Sequence, residues 1–216
     1  MTRLSLAASL LLCGLPLVAK ADSITYSVLI DTSSQSSNQG YIDLQLNGGT
    51  LPPADIMASV TGFAGAVLNS SDPGNDAINT VGSLPGTVTF DNQSGNDYFE
   101  ALTFGSSVSF LVTLSGPGVS SSGGATSLSG TTFQISFYDP LVTTPLFTTD
   151  PSGAVAALNV DSTGGSASDS QPAATVADIP STVTPEPTSF SLLMLGGGLM
   201  GLVCFRGLRN RTASGS

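Results

Sequence analysis

Between residues 22 and 187, the side chains able to do chemistry are almost all carboxylates. That stretch holds all 15 Asp and Glu of the 216-residue chain and no Lys, Arg, His or Cys. The missing types exclude a Ser-His-Asp triad, a Cys-His pair, a Schiff-base lysine and an arginine clamp. They also exclude a zinc site of the usual His and Cys ligands. Nucleic acid is not an expected partner, because nothing in the stretch neutralises a phosphate. What remains is acid chemistry. A paired-acid glycosidase needs two carboxyls about 5 to 9 Å apart, one of them with a raised pKa, and Glu100 with Asp97 or Asp91 is the local cluster that offers it. The same segment, DNQSGND from Asp91 to Asp97, reads more simply as a hairpin loop, so no enzymatic activity is expected.

Two binding chemistries suit such a composition. Calcium takes carboxylate and carbonyl oxygens, and Asp72, Asp76, Asp91 and Asp97 stand in oxygen-rich loops. Neither loop has EF-hand spacing, since the residue eleven after Asp91 is Leu102 and not Glu. No other cofactor is expected. A neutral glycan is the second chemistry, with Tyr26, Tyr41, Tyr98 and Tyr138 available as stacking surfaces. An anionic polysaccharide would be repelled at low salt unless divalent ions bridge it.

The elements that must position these side chains read as strands. Ile42, Leu44 and Leu46 alternate with Asp43, Gln45 and Asn47, which gives one apolar and one wetted face. Val108 to Leu114 and Phe133 to Phe137 repeat the pattern. Further strands are expected at Ile24 to Ile30, Ile56 to Phe63, Thr87 to Asp91, Tyr98 to Phe104 and Ala154 to Val160. Asn47-Gly48-Gly49, Asp72-Pro73-Gly74, Leu84-Pro85-Gly86 and Gly116-Pro117-Gly118 supply the turns. The expectation is an all-β fold, an antiparallel β-sandwich of jelly-roll type, over residues 22 to 161. Residues 162–187, rich in Ser, Thr, Gly, Ala and Pro, read as a linker, and residues 120–130 as a polar loop.

The ends of the chain carry the cations. Residues 1–21 have Arg3, an apolar run from Leu4 to Val18, and Ala19-Lys20-Ala21 in the small-x-small pattern of a signal peptidase site. Residues 188–205 carry no charge and as a helix would cover about 27 Å, enough for one transmembrane helix. Arg206, Arg209 and Arg211 follow in a tail, residues 206–216, and favour the cytoplasmic side as a membrane stop.

Just before that span stands Pro185-Glu186-Pro187. The order of Pro-Glu-Pro, one apolar helix and a short Arg-rich tail resembles the PEP-CTERM sorting signal of Gram-negative bacteria that make exopolysaccharide. The resemblance implies export past the inner membrane, transient anchoring there, and cleavage by an exosortase that passes the body to the cell surface or the extracellular matrix. The segments Gly40 to Asn47, Leu84 to Thr89, Asn96 to Phe99, Phe104-Gly105 and Leu114 to Pro117 also resemble landmarks of exported proteins of this kind. That likeness implies an exported β-domain and carries over no catalytic residue. The expected role is structural or adhesive within an exopolysaccharide matrix, as in a biofilm, with a carbohydrate-binding module built on Tyr as the alternative.

Overall fold

The computed structural model describes residues 23–49, 55–119 and 130–179. The expected signal peptide with Ala19 and Ala21, Pro185, Glu186 and Pro187, the span 188–205, and Arg206, Arg209 and Arg211 lie outside these residues. Among the described residues no helix is long and apolar enough to cross a membrane.

Among the described residues eleven strands form: β1 (Ser23–Asp31), β2 (Gln39–Asn47), β3 (Met57–Leu68), β4 (Asp76–Ile78), β5 (Val81–Gly82), β6 (Val88–Asp91), β7 (Asp97–Ser115), β8 (Thr131–Tyr138), β9 (Ala154–Val160), β10 (Ser166–Ser170) and β11 (Ala174–Ile179). A single 3-10 turn at Ser33–Gln35 is the one helical element among the described residues. All the strand pairs are antiparallel, in the order β10-β9-β8-β2-β7-β3-β6-β5, with β1 between β11 and β7, and β4 beside β7.

The 19-residue β7 organises this sheet. Its first half pairs with β2 and β4, and its second half pairs with β1 and the first half of β3. Two leaves therefore share one strand, and they face each other across an apolar core. Phe90 of β6 meets Phe133 of β8 edge-on at 5.3 Å between ring centroids. Ile30, Ile42, Leu44, Leu46, Leu114, Ile135 and Leu158 are fully buried between the leaves. Each such side chain stabilises the fold by about 1.5 to 3 kcal/mol relative to exposure.

The all-β antiparallel class is as expected. The strand order does not establish the jelly-roll winding expected from the sequence; it establishes two leaves hinged on a common strand. Glycines make the hinge possible. Gly65 has φ +93°, and a Cβ there would lie 2.0 Å from the Ser107 carbonyl oxygen. A Cβ on Gly105 would lie 2.1 Å from the Gly65 carbonyl oxygen. The two backbones thus meet at a point only glycine allows, and the β3–β7 register shifts on both sides of Ala64. On the other edge of β7, the 32–38 connection covers the gap between β1 and β2. Thr32 donates its N–H to Ser106 and its hydroxyl to Gly105, and Ser37 donates to Phe104.

One boundary differs from expectation. The body does not stop at 161, because β10 pairs with β9 and β11 pairs with β1 inside the expected linker. These are outer strands with few buried side chains, Ala174 being the buried one of β11. Backbone hydrogen bonds hold them, so their composition lacks the apolar alternation by which a strand is read. Ala154–Val160 is a strand, as expected.

Candidate functional site

The alternation of β2 sends Ile42, Leu44 and Leu46 into the core, so Tyr41, Asp43 and Gln45 point to the outer face of their leaf. The register sets Asp43 between Phe99 of β7 and Ser136 of β8, and Tyr41 between Ala101 and Tyr138. Tyr41 and Phe99 stack, with centroids 4.6 Å apart and planes at 15°. Phe99 and Tyr138 approach at 6.2 Å. Three half-buried aromatic rings therefore gather around Asp43.

Beside this row lies a cleft of about 160 Å³ lined by Gln39, Tyr41, Asn69, Asp72, Thr103 and Pro140. The Tyr41 hydroxyl donates to Asp72 Oδ1 at 3.0 Å, and the Gly74 N–H donates to the same oxygen at 2.8 Å. Phe99 on one side and Asp72 at the hydroxyl thus fix the Tyr41 ring. An immobilised ring beside amide, hydroxyl and carboxylate groups, with no cation, suits an uncharged hydroxylated ligand.

Asp43 is 7 % exposed. Its Oδ2 accepts from Gln45 Nε2 at 3.3 Å. Its carboxyl also meets that of Asp97, which precedes Phe99 by two residues and shares its face. Burial first, and then the charge of Asp97, push the Asp43 carboxyl up to about 7. Sequence reading placed Asp43 on a wetted face and gave it no partner. Only the strand register brings it to Asp97, and no local motif signals that register.

Neither the carboxyl cluster of Glu100 with Asp97 or Asp91 nor the hairpin expected over Asp91 to Asp97 is formed, since β6 pairs with β3 and β5 and not with β7. Asp97 and Glu100 sit on one strand an odd number of residues apart, so they point to opposite faces. Glu100 faces inward, 5 % exposed, and accepts the Tyr98 hydroxyl proton. Burial raises its pKa. Tyr98 in turn accepts the Leu84 N–H at 2.9 Å. Glu100 and Asp76 line a separate cleft of about 270 Å³, where the Glu100 carboxyl is already engaged by Tyr98. Asp91, at the end of β6, accepts from the Gln93 and Ser94 N–H groups as a turn clamp.

The four loop acids considered for calcium stand on different elements. Asp72 clamps the 69–75 loop, Asp76 begins β4, Asp91 ends β6, and Asp97 opens β7. Among the described residues no three His, Cys, Asp or Glu side chains form a metal-binding group. Of the four tyrosines, Tyr26 and Tyr98 are buried, and Tyr26 donates to Ser166 at 3.0 Å. Tyr41 and Tyr138 are the two that share the outer face.

Fold and site define an all-β, sandwich-like body whose most distinctive surface is an aromatic row over a carboxyl pair. Residues 183–210, beyond that body, match the PEP-CTERM protein-sorting motif. The match contains Pro185, Glu186, Pro187, Arg206 and Arg209, and it ends one residue before Arg211. It supports an exported protein addressed to an exosortase. No curated protein and no solved structure matches the chain.

Proposed function

We propose that this chain is a non-enzymatic surface or extracellular-matrix protein, associated with exopolysaccharide and delivered by export and exosortase cleavage. The observation that carries the reading is the sorting motif at 183–210. A signal peptidase removes residues 1–21 at Ala19-Lys20-Ala21, and residues 188–205 hold the chain in the inner membrane with Arg206, Arg209 and Arg211 on the cytoplasmic side. Flanking prolines keep Glu186 in an extended segment that a peptidase can grip. The released body carries the 15 acids and no cation, which favours solubility and makes it responsive to salt and divalent ions. In a host that has the exosortase, replacing Pro185, Glu186 and Pro187 by Ala leaves a longer, membrane-retained form. An identical mature mass in parent and variant overturns the proposal.

The fixed Tyr41 ring beside its polar cleft favours a second reading, a carbohydrate-binding module for neutral glycans. Affinity electrophoresis tests it: retardation by a neutral polysaccharide, absent with an acidic one and lost in Tyr41→Ala, supports binding. Equal mobility with and without glycan dismisses it.

A further inference from the structure

Asp43 and Asp97 stand where two ionised carboxylates cannot be stable. They lie on adjacent strands with their carboxyl groups in hydrogen-bonding contact. One oxygen of each, Oδ1, is buried and has no other partner. No Lys, Arg or His exists between residues 22 and 187 to neutralise them.

The groups that face Asp43 leave Oδ1 unsupplied. On its own strand, Gln45 donates to Oδ2, and the Tyr41 hydroxyl is turned to Asp72. On β7 the neighbours are Phe99 and Asp97. On β8, Ser136 Oγ accepts from Gln134 Nε2 at 3.1 Å and bonds Tyr138. Tyr138 is the other titratable group here, and burial raises its pKa, so it stays neutral through the physiological range. Two facing acceptors with no external donor are satisfied when one of them carries a proton, the arrangement two carboxylates adopt when they share a site.

From this geometry we propose that Asp43 and Asp97 hold one proton between them and form a pH-sensitive latch joining β2 to β7 beneath the Tyr41, Phe99 and Tyr138 row. The position suits a latch, since the β2–β7 backbone ladder ends at Leu44 and Tyr98, and Asp97 is the next residue outward. A side-chain bond there extends the pairing by one step. Asn47 Nδ2 to Gln45 Oε1, and Gln45 Nε2 to Asp43 Oδ2, each at 3.3 Å, continue the connection along the edge. Loss of the proton sets two like charges against each other at the end of the ladder, which loosens β2 and the rings stacked over it. The raised affinity of Asp43 for its proton places that opening near neutral pH.

The test is a carboxyl-carbon NMR titration of the full chain labelled at aspartate, with Asp43→Asn and Asp97→Asn to assign the two signals. The Asp43 signal is expected to move with a midpoint near pH 7 in the parent chain. In Asp97→Asn that midpoint is expected to fall by about one unit or more, because the amide removes the like charge and supplies a permanent donor. In Asp43→Asn the near-UV tyrosine signal is expected to lose its change across neutral pH. Ordinary titration of both carboxyls below about pH 5 overturns the proposal, as does an Asp43 midpoint unmoved by Asp97→Asn. Where Asp43→Asn does not fold, the parent titration and Asp97→Asn decide alone.

Discussion

Replacing Asn96 by Ala tests whether a neutral amide, in a body without cations, holds the outer leaf in register. Asn96 is 6 % exposed. Its Oδ1 accepts from the Leu46 N–H at 2.7 Å. Its Nδ2 donates to the Leu46 carbonyl at 2.9 Å and to the Asp91 carbonyl at 2.7 Å. The side chain thus acts as a strand of one residue, closing the end of β2 onto the 91–97 connection. Truncation orphans a buried N–H, at about 2 kcal/mol, and loses two short bonds to carbonyls at about 1 kcal/mol each. The expected loss is about 4 kcal/mol, or about 10 °C in Tm for a body of this size. Urea unfolding of the full chain, followed by far-UV circular dichroism, measures it, since the chain has no Trp to serve as a probe. Asn96→Asp sharpens the test. It keeps the acceptor but turns a carboxylate toward two carbonyl oxygens, so at pH 7 it is expected to be worse than Ala and to recover as the pH falls. An Ala variant within about 1 kcal/mol of the parent, or an Asp variant as stable as the parent at pH 7, refutes the reasoning.

Gly65→Ala is expected to cost about 3 kcal/mol or more, through its positive φ and a Cβ overlapping the Ser107 carbonyl, read as a lowered urea midpoint. Glu100→Gln is expected to flatten the pH dependence of stability. Burial raises the folded pKa of Glu100, so its contribution is full below the ordinary carboxylate range and lost as pH rises through the folded value. Asp43 has the same sign, lost between about 4 and 7. Asp31, Asp139 and Asp150 have the opposite sign. Their pKa values are lowered by hydrogen bonds from Ser33, Thr144 and Ser152, so their contribution is present above the unfolded value and lost as pH falls through the folded one. Together these place the stability maximum at about pH 4 to 5. A melting series from pH 3 to 9 that peaks above pH 7 excludes it.

Much of the fold was legible because its central strands have one wet and one dry face. Ile42, Leu44 and Leu46 mark β2, and Phe133, Ile135 and Phe137 mark β8, by period alone. The continuity of β7 was hidden by Gly105-Ser106-Ser107, which look like a break. Inward side chains stay at even positions from Tyr98 through Leu114, so the period survives the hinge and a glycine relieves it. The polar outer strands β10 and β11 escaped because register and backbone bonding define them. The site was legible only in part. Tyr41 and Tyr138 could be named, but their shared face, Phe99 between them, and Asp43 against Asp97 depend on pairing across residues distant in sequence.

The acidic composition takes on a structural sense once each carboxylate is placed. In a body with no cation, an aspartate finds stable donors in the backbone just ahead of it. Asp31 accepts from the Ser33 N–H, Asp91 from Gln93 and Ser94, Asp139 from Thr143 and Thr144, Asp150 from Ser152, and Asp161 from Thr163 and Gly165. Each is a turn clamp, on the surface for Asp31, Asp91, Asp139 and Asp150, where a charge stays solvated, and buried for Asp161, which is 1 % exposed. Inside, the same demand is met by neutral groups, with Asn92 bonding the Ile56 N–H and Thr131, and Tyr98 bridging Leu84 and Glu100. The acids are therefore spent mostly on turns, and among the described residues no three His, Cys, Asp or Glu side chains form a metal-binding group. Asp43, Glu100 and Asp161 are the carboxyls carried below the surface, and of these Asp43 and Glu100 stand in strands rather than at a turn. Glu100 has a tyrosine to hold it, whereas Asp43 has Gln45 on one oxygen and another acid on the other side. That asymmetry sets the Asp43–Asp97 contact apart from the other pH-dependent carboxyls, because there the loss of a proton brings two like charges together.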